Sequence, residues 1–388
     1  MIKPLLLTVS TIGLLLSACG QASGQAPISN APLAAQDAAA ARQALPREDA
    51  IGLKKSNINW SALESYAHAL SGEALNITQP GTHVLSGKSK ASVNVSADGN
   101  VRLMLKGVEI QSSTGAAIHI ESAKNTVIEL AEGSENYLED ASKRKDKDVN
   151  GVIYSSDDLM FQGAGTLTLK ANFQDGIVSK DDLDFFGGEY NISSVDDGIR
   201  GKDSLVIEGG IISILSKGDG IKSSNDNDSE KGNVHIKGGF ITIESGDDGV
   251  SAVNNIVIDG GQISILKSLE GMEASTITIN GGDVRVVASD DGINAVNNNG
   301  LNNMSITFNG GNTDVTVGDG DTDAIDSNGT ILVAGGNINV TAPFSAFDSN
   351  RGNRMTGGNV FINGAPITEL PNGHRRGPRG DGWGRGRN

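Results

Sequence analysis

Residues 192–210 read ISSVDDGIRGKDSLVIEGG. Two aspartates and a glycine precede an isoleucine, and a Gly-Gly pair follows a short apolar alternation. The same order returns at 241–261 as ITIESGDDGVSAVNNIVIDGG and at 284–300 as VRVVASDDGINAVNNNG. Gly-Gly pairs fall at 187–188, 209–210, 238–239, 260–261, 281–282, 310–311, 335–336 and 357–358, with GAG at 163–165 as a variant. Successive pairs are 22, 29, 22, 21, 29, 25 and 22 residues apart. A period near 22 carrying strand chemistry is the signature of a solenoid.

Aligned on these pairs, three apolar columns stand out. Four residues before the first glycine sit Leu183, Leu205, Val234, Ile256, Ile277, Ile306 and Ile331. Two before it sit Phe185, Ile207, Ile236, Ile258, Ile279, Phe308 and Val333; four after the second glycine sit Ile192, Ile214, Ile243, Ile265, Val286, Val315 and Val340. Positions two apart on a strand share a face, so copies one period apart stack as aliphatic ladders with polar residues such as His235 and Thr242 outside. A rung of ~22 residues holds three short strands and three turns. The expected fold is all-β: a single parallel β-helix of about a dozen rungs, its glycines supplying positive φ at corners. The long steps carry NDNDSEK at 225–231 and NNNGLNN at 297–303, both after the third strand, so both should project from one corner. The calcium-binding nonapeptide roll is a competing solenoid, but its G-G-x-G-x-D repeat is absent.

Nine residues after the second glycine come Asp197, Asp219, Asp248, Glu270 and Asp291, with Asp175 fitting after a one-residue slip. Asp196, Asp247 and Asp290 immediately precede three of them. Stacked at one corner, carboxylates ~5 Å apart repel by about 1 kcal/mol in water and by several at an effective dielectric near 20. Three remedies exist. The acids take up protons, the neighbouring Arg200, Lys202 and Lys222 pair with them, or calcium, which takes 6–8 oxygen ligands, bridges the rungs. Asp181, Asp182 and Asp203 open the following segment and offer further oxygens, as do Asp157 and Asp158. The plainer alternative is that Asp-Gly is good turn chemistry. A turn does not require an acid in every rung, however, and Glu270 in place of Asp points to charge.

The ends differ from this body. MIKPLLLTVSTIGLLLSACG at 1–20 is a signal segment, and Leu16-Ser17-Ala18-Cys19 resembles the lipobox of bacterial lipoproteins, which implies a lipidated Cys19 as first mature residue. Cys19 is the only cysteine, so no disulfide is available. Gly20 after it favours the outer membrane, placing the protein in the cell envelope. The expected organisation is a signal peptide at 1–18, a flexible tether at 19–57, a short capping helix at 58–74, the β-helix at 75–373 and a disordered Arg/Gly-rich tail at 374–388. The helix is read from SALESYAHALSG, where Ser61 and Glu64 fit a capping box and Gly72 a stop. The chain carries a formal charge of −16. With Lys3 removed and the +4 tail set aside, the body from Cys19 to Gly373 is −21. Such a surface is not one for nucleic acid. The histidines are scattered, which argues against zinc, and a monomer is expected.

The ordered segments NITQPGTHVLSG, VRLMLKGVEI, GAAIHI, IELAEGSENYLED, SSDDLMFQGAGTLTL, DGIVSKDDLDFFGG and DDGIRGKDSLVIEGG resemble a family of secreted bacterial carbohydrate-binding-domain proteins. The likeness covers roughly residues 75–300. It implies a right-handed parallel β-helix that holds calcium and binds plant cell-wall polysaccharide of cellulose or acidic-pectin type. Exposed aromatics suited to a neutral glucan are few, Phe173, Phe186 and Phe240 being the candidates. An acidic glycan reached through calcium, Arg200, Lys202 and Lys222 is therefore the favoured ligand. Two alternatives stay open: a β-helical lyase using calcium and a Lys or Arg base, with no catalytic residue singled out, and a surface adhesin without a glycan site.

Overall fold

The computed structural model describes residues 58–320 and 322–371. Cys19, the tether at 19–57 and the tail at 374–388 lie outside them, as do the signal residues 1–18. The described chain is all-β, with a three-residue 3₁₀ turn, Trp60–Ala62, as its one helical element. Its strands form two sheets of 24 and 12 strands. Pairing is parallel throughout, apart from Asn359–Ile362 with Ala365–Ile367 at the C-terminal edge, which turns back at Asn363 and Gly364, both of positive φ.

One repeat shows the plan. Asp182–Phe185 and Glu189–Ser193 join the larger sheet, and Ile199–Gly201 joins the smaller one. The next repeat follows with Ser204–Ile207, Ile211–Leu215 and Ile221–Ser223, each paired with its counterpart one period earlier. The aliphatic columns are therefore in register. Leu183 lies opposite Leu205, then Val234, Ile256, Ile277, Ile306 and Ile331. Ile192 likewise leads through Ile214, Ile243, Ile265, Val286 and Val315 to Val340. These side chains are buried and form one continuous core. Burying each one stabilises the fold by about 1.5–3 kcal/mol. Phe161 stacks on Phe185 at 4.9 Å, with Tyr190 edge-on to both. The insertions at 225–231 and 297–303 both follow a smaller-sheet strand, Ile221–Ser223 and Ile293–Ala295, so they share a corner, and Asn299 donates to Asn254 beside it.

The expected capping helix is not formed. Its residues give the short 3₁₀ turn and then the strand Ser65–Leu70, which pairs in parallel with Gly81–Ser89. The capping-box spacing was outweighed by tertiary pairing. The first rung presents a row of open backbone groups, and SYAHAL alternates with the period of two that lets Tyr66 and His68 lie on the next rung. There Tyr66, His83 and His68 stack, and the two histidines share a 3.0 Å hydrogen bond.

Candidate functional site: the carboxylate corner and the face beside it

The recurring acid sits at the turn entering each smaller-sheet strand, where it performs a structural task that repeats along the coil. Asp175 Oδ1 accepts the backbone N–H of Asp197, Asp197 Oδ1 that of Asp219, and Asp219 Oδ1 that of Asp248, at 3.0–3.2 Å. Asp291 Oδ1 does the same for Asp323 at 2.8 Å. Each acid thus caps the rung above. The glycine that follows it has a separate cause. A Cβ on Gly220 would stand 2.5 Å from Ile243 Cγ2, and one on Gly249 2.7 Å from Ile265, so the aliphatic ladder leaves no room for a side chain.

The second carboxylate oxygen meets the outward row of the smaller sheet. In register that row runs Val178, Arg200, Lys222, Ser251, Glu273, Asn294, Asp326, Asp348. Arg200 donates to Asp175 Oδ2 at 2.7 Å, and Lys222 reaches Asp219 Oδ2 at 2.6 Å and Asp197 Oδ2 at 3.6 Å. Asn150 adds a 2.7 Å hydrogen bond to Asp175 Oδ2. Burial nevertheless pushes Asp175 up to about 7 against the pull of Arg200, and burial also raises Asp197 against Lys222. For Lys222 burial alone would lower the pKa, but Asp197 and Asp219 outweigh it and raise it to about 12.

Further along, the same row supplies acids. Burial, then the charges of Asp219, Glu273, Glu270 and Asp247, push Asp248 up to about 8. Burial and Glu273 raise Glu270, which accepts from Asn294 Nδ2. Burial, with Asp291, Asp323 and Asp348, lifts Asp326 to about 7. Three groups bring carboxylate oxygens within 4.8 Å of one another: Asp175, Asp196 and Asp197; Asp219, Asp247 and Asp248; Asp323, Asp326 and Asp348.

The sequence placed the first two groups at one corner, and the structure brings them together there. Asp181, Asp182 and Asp203 are at the opposite end of the smaller-sheet strands. Asp203 is held by Lys231 and by Asn225 at 2.6 and 2.5 Å, and Asp182 accepts from Ser204 at 2.6 Å. Lys202 stands at that end too, directly after Ile199–Gly201. Nine residues after the next two second glycines stand Gly320 and Ser345, which are not acids, yet the acid column continues one rung past Asp291. An insertion moves the acid to Asp323, which bridges to Ser345. Asp348 shares with Arg200 and Lys222 the position twelve residues after the second glycine of a pair, a column the sequence reading did not follow, and Asp326 is displaced from that position by the same insertion that moves Asp323. Lys180 was missed as well, although DGIVSKDD parallels DGIRGKDS and places it one rung below Lys202.

Fold and corner together define a parallel-stranded repeat protein that presents a long polar face. The chain belongs to the carbohydrate-binding domain-containing protein family, which matches residues 71–322. A carbohydrate-binding domain-containing protein of Acetivibrio thermocellus is 35% identical over 134 residues, 32% of this chain and 47% of that protein. The match thus spans about half of that relative. Among solved structures, the polysaccharide lyase-like protein from C. thermocellum, a gadolinium derivative, superposes with a TM-score of 0.50 at 31% identity, covering 57% of this chain and 92% of that one.

Proposed function

We propose that this chain is a calcium-stabilised polysaccharide-binding protein of the bacterial cell envelope, tethered to the outer membrane by a lipidated Cys19, its rungs forming one right-handed parallel β-helix. The ligand is an acidic, uronate-type glycan. The observation that carries this reading is the run of cations along the smaller-sheet strands of a family member whose body is −21: Arg200 and Lys222 offset the buried acids there, and Lys202, at the other end of those strands, has no ion pair among the described residues. On so acidic a protein an anionic sugar needs such locally compensated surface.

Calcium suits the donor set. Carboxylate oxygens within 4.8 Å of one another match the spacing of ligands around an ion bound at about 2.3–2.6 Å. Asp175, Asp196 and Asp197 would supply one set of these oxygens and Asp219, Asp247 and Asp248 a second, Asp323, Asp326 and Asp348 offer the same arrangement, and Asp291 would be a further ligand in the same acid column. The solved relative is a gadolinium derivative, and lanthanides share calcium's preference for oxygen. A bound ion would relieve the repulsion that raises Asp248, Glu270 and Asp326.

The deciding experiment is glycan-array binding of the purified protein with calcium and with EDTA. Binding to uronate polymers that calcium strengthens is expected; no binding to any acidic glycan would overturn the reading. A lyase is the second reading, favoured by the lyase-like relative. It requires ultraviolet-absorbing unsaturated product from a uronate polymer, and none is expected. The protein is expected to be monomeric in light scattering.

A further inference from the structure

The acidic-glycan reading leaves open which side chains touch the sugar. The two cations most exposed to that inference from sequence, Arg200 and Lys222, are already committed. Both point back to the carboxylate corner and neutralise acids that are all but fully buried, the Asp175 and Asp219 side chains being 1% and 3% exposed. The opposite edge of the same face differs. Lys180 and Lys202 follow Ser179 and Gly201, which are partners in register, so the two lysines stand one rung apart. Both are half-buried, and neither has an ion pair among the described residues. The Lys180 ammonium lies 5.7 Å from the centre of the Tyr154 ring, and Tyr154 meets His119 edge-on at 5.6 Å. Burial, then the charges of Arg200 and Lys202, hold the Lys180 pKa below its usual value against the pull of Asp148 and Asp175.

His119 in turn lines a cleft of about 570 Å³, together with Asn94, Thr114, Lys143 and Lys145. That volume is within the ~300–1,000 Å³ range of small-ligand sites. Asn94, Thr114 and His119 offer groups that match sugar hydroxyls within a lining that is otherwise largely apolar, and the rim carries two exposed lysines together with the exposed Asp146. The rim is held in place by Arg144, which pairs with Asp140, donates to Gly151 O at 3.0 Å and stacks against Phe173 at 4.8 Å. Cleft and lysine edge are continuous through the His119–Tyr154 contact, since Asn94, His119 and Tyr154 are successive members of the outward row.

We propose that a single uronate chain lies along this face, its one end seated in the cleft at His119, Lys143 and Lys145 and its carboxylates further along taken by Lys180 and Lys202. Recognition is by hydroxyl-reading groups below and lysine ammoniums at the edge.

The inference rests on the acidic-glycan reading, and the following experiment separates the two. Oligogalacturonate and its methyl-esterified counterpart are titrated calorimetrically into the full-length protein, in calcium, alongside Lys180→Ala/Lys202→Ala, Lys143→Ala/Lys145→Ala and Lys180→Arg/Lys202→Arg. Each alanine pair should weaken oligogalacturonate binding by about tenfold to a hundredfold, the loss of one or two charge-assisted hydrogen bonds. The arginine pair should keep most of the affinity, and melting temperatures should not move. The methyl ester should bind at least about tenfold more weakly than the acid. If the wild-type protein binds oligogalacturonate and both alanine pairs bind equally well, the proposed track is wrong while the acidic-glycan reading stands. If the wild-type protein binds no oligouronate at all, both fall.

Discussion

At Asp175, Asp197 and Asp219 the carboxylate corner has cations of its own. Arg200 and Lys222 project from the outward row and occupy the second oxygen of each acid. A few rungs later the row reads Ser251, Glu273, Asn294, Asp326 and Asp348, and the half-buried acids Asp248, Glu270 and Asp326 face more acid. The turn recurs in both halves, and the acid of one rung accepts the backbone N–H of the next at Asp175, Asp197 and Asp219 and again at Asp291. The difference teaches that the repeat keeps its turn while the compensation of the acid's charge is free to vary. In the early half side-chain cations offset part of the charge, although Asp175 and Asp197 are still raised; in the late half that task is left to protons or a metal ion.

The largest effect is expected from breaking the early half. Arg200→Ala strands Asp175 in a buried site, at a cost of about 3–5 kcal/mol in the alkaline range. The cost should shrink as pH falls through the Asp175 pKa near 7, because a protonated carboxyl needs no partner. Calorimetric melting at several pH values checks this; a pH-independent loss would show that Arg200 acts through packing alone.

Next in size is metal removal. At calcium about 100-fold above its dissociation constant the ion adds about 2.7 kcal/mol, because the unfolded chain cannot gather the ligands. EDTA should therefore lower the melting temperature at neutral pH, and Asp219→Ala should blunt that response. Identical wild-type curves with calcium and with EDTA, and no metal by elemental analysis, would leave the aspartates as turn formers.

Without metal, the late half should make stability fall with rising pH. Asp248 and Asp326 have folded pKa values near 8 and 7, above an unfolded value near 3.9. The folded state holds the extra protons between those values, so stability is greatest below about pH 4–5 for these groups and is lost as pH rises toward 8, by on the order of 1–3 kcal/mol per carboxyl. Denaturant melts in EDTA between pH 5 and 8 measure the slope, and calcium should flatten it by replacing the proton.

A smaller effect sharpens the comparison further. Glu273→Lys places a cation in the late half at the row position that Lys222 holds two rungs earlier. It should raise stability in EDTA at pH 8 by about 1 kcal/mol and weaken the calcium response. Smallest of all, Lys237→Ala breaks an exposed pair with Glu208 and should change stability by no more than about 0.5 kcal/mol at any pH.

Much of this was legible in the residues. The period of the Gly-Gly pairs, the three aliphatic columns and the D-D-G corner determine parallel stacking and its register, because a one-residue slip would turn every ladder residue outward. The same repeats placed Asp197, Asp219 and Asp248 in one column. What depended on the tertiary structure is everything that compares one rung with another. SYAHAL became a strand because an open sheet edge lay beside it. Asp323 rejoined the column across an insertion that breaks the count. Arg200 and Lys222 turned toward the corner while Lys180 and Lys202 stayed at the other edge, because the first two are the central residues of their strands and the last two follow the strand's final residue. Periodicity is a local property of the chain and survives in the sequence; charge compensation is a sum over neighbours brought together from 20 to 30 residues apart, and only the folded coil performs that sum.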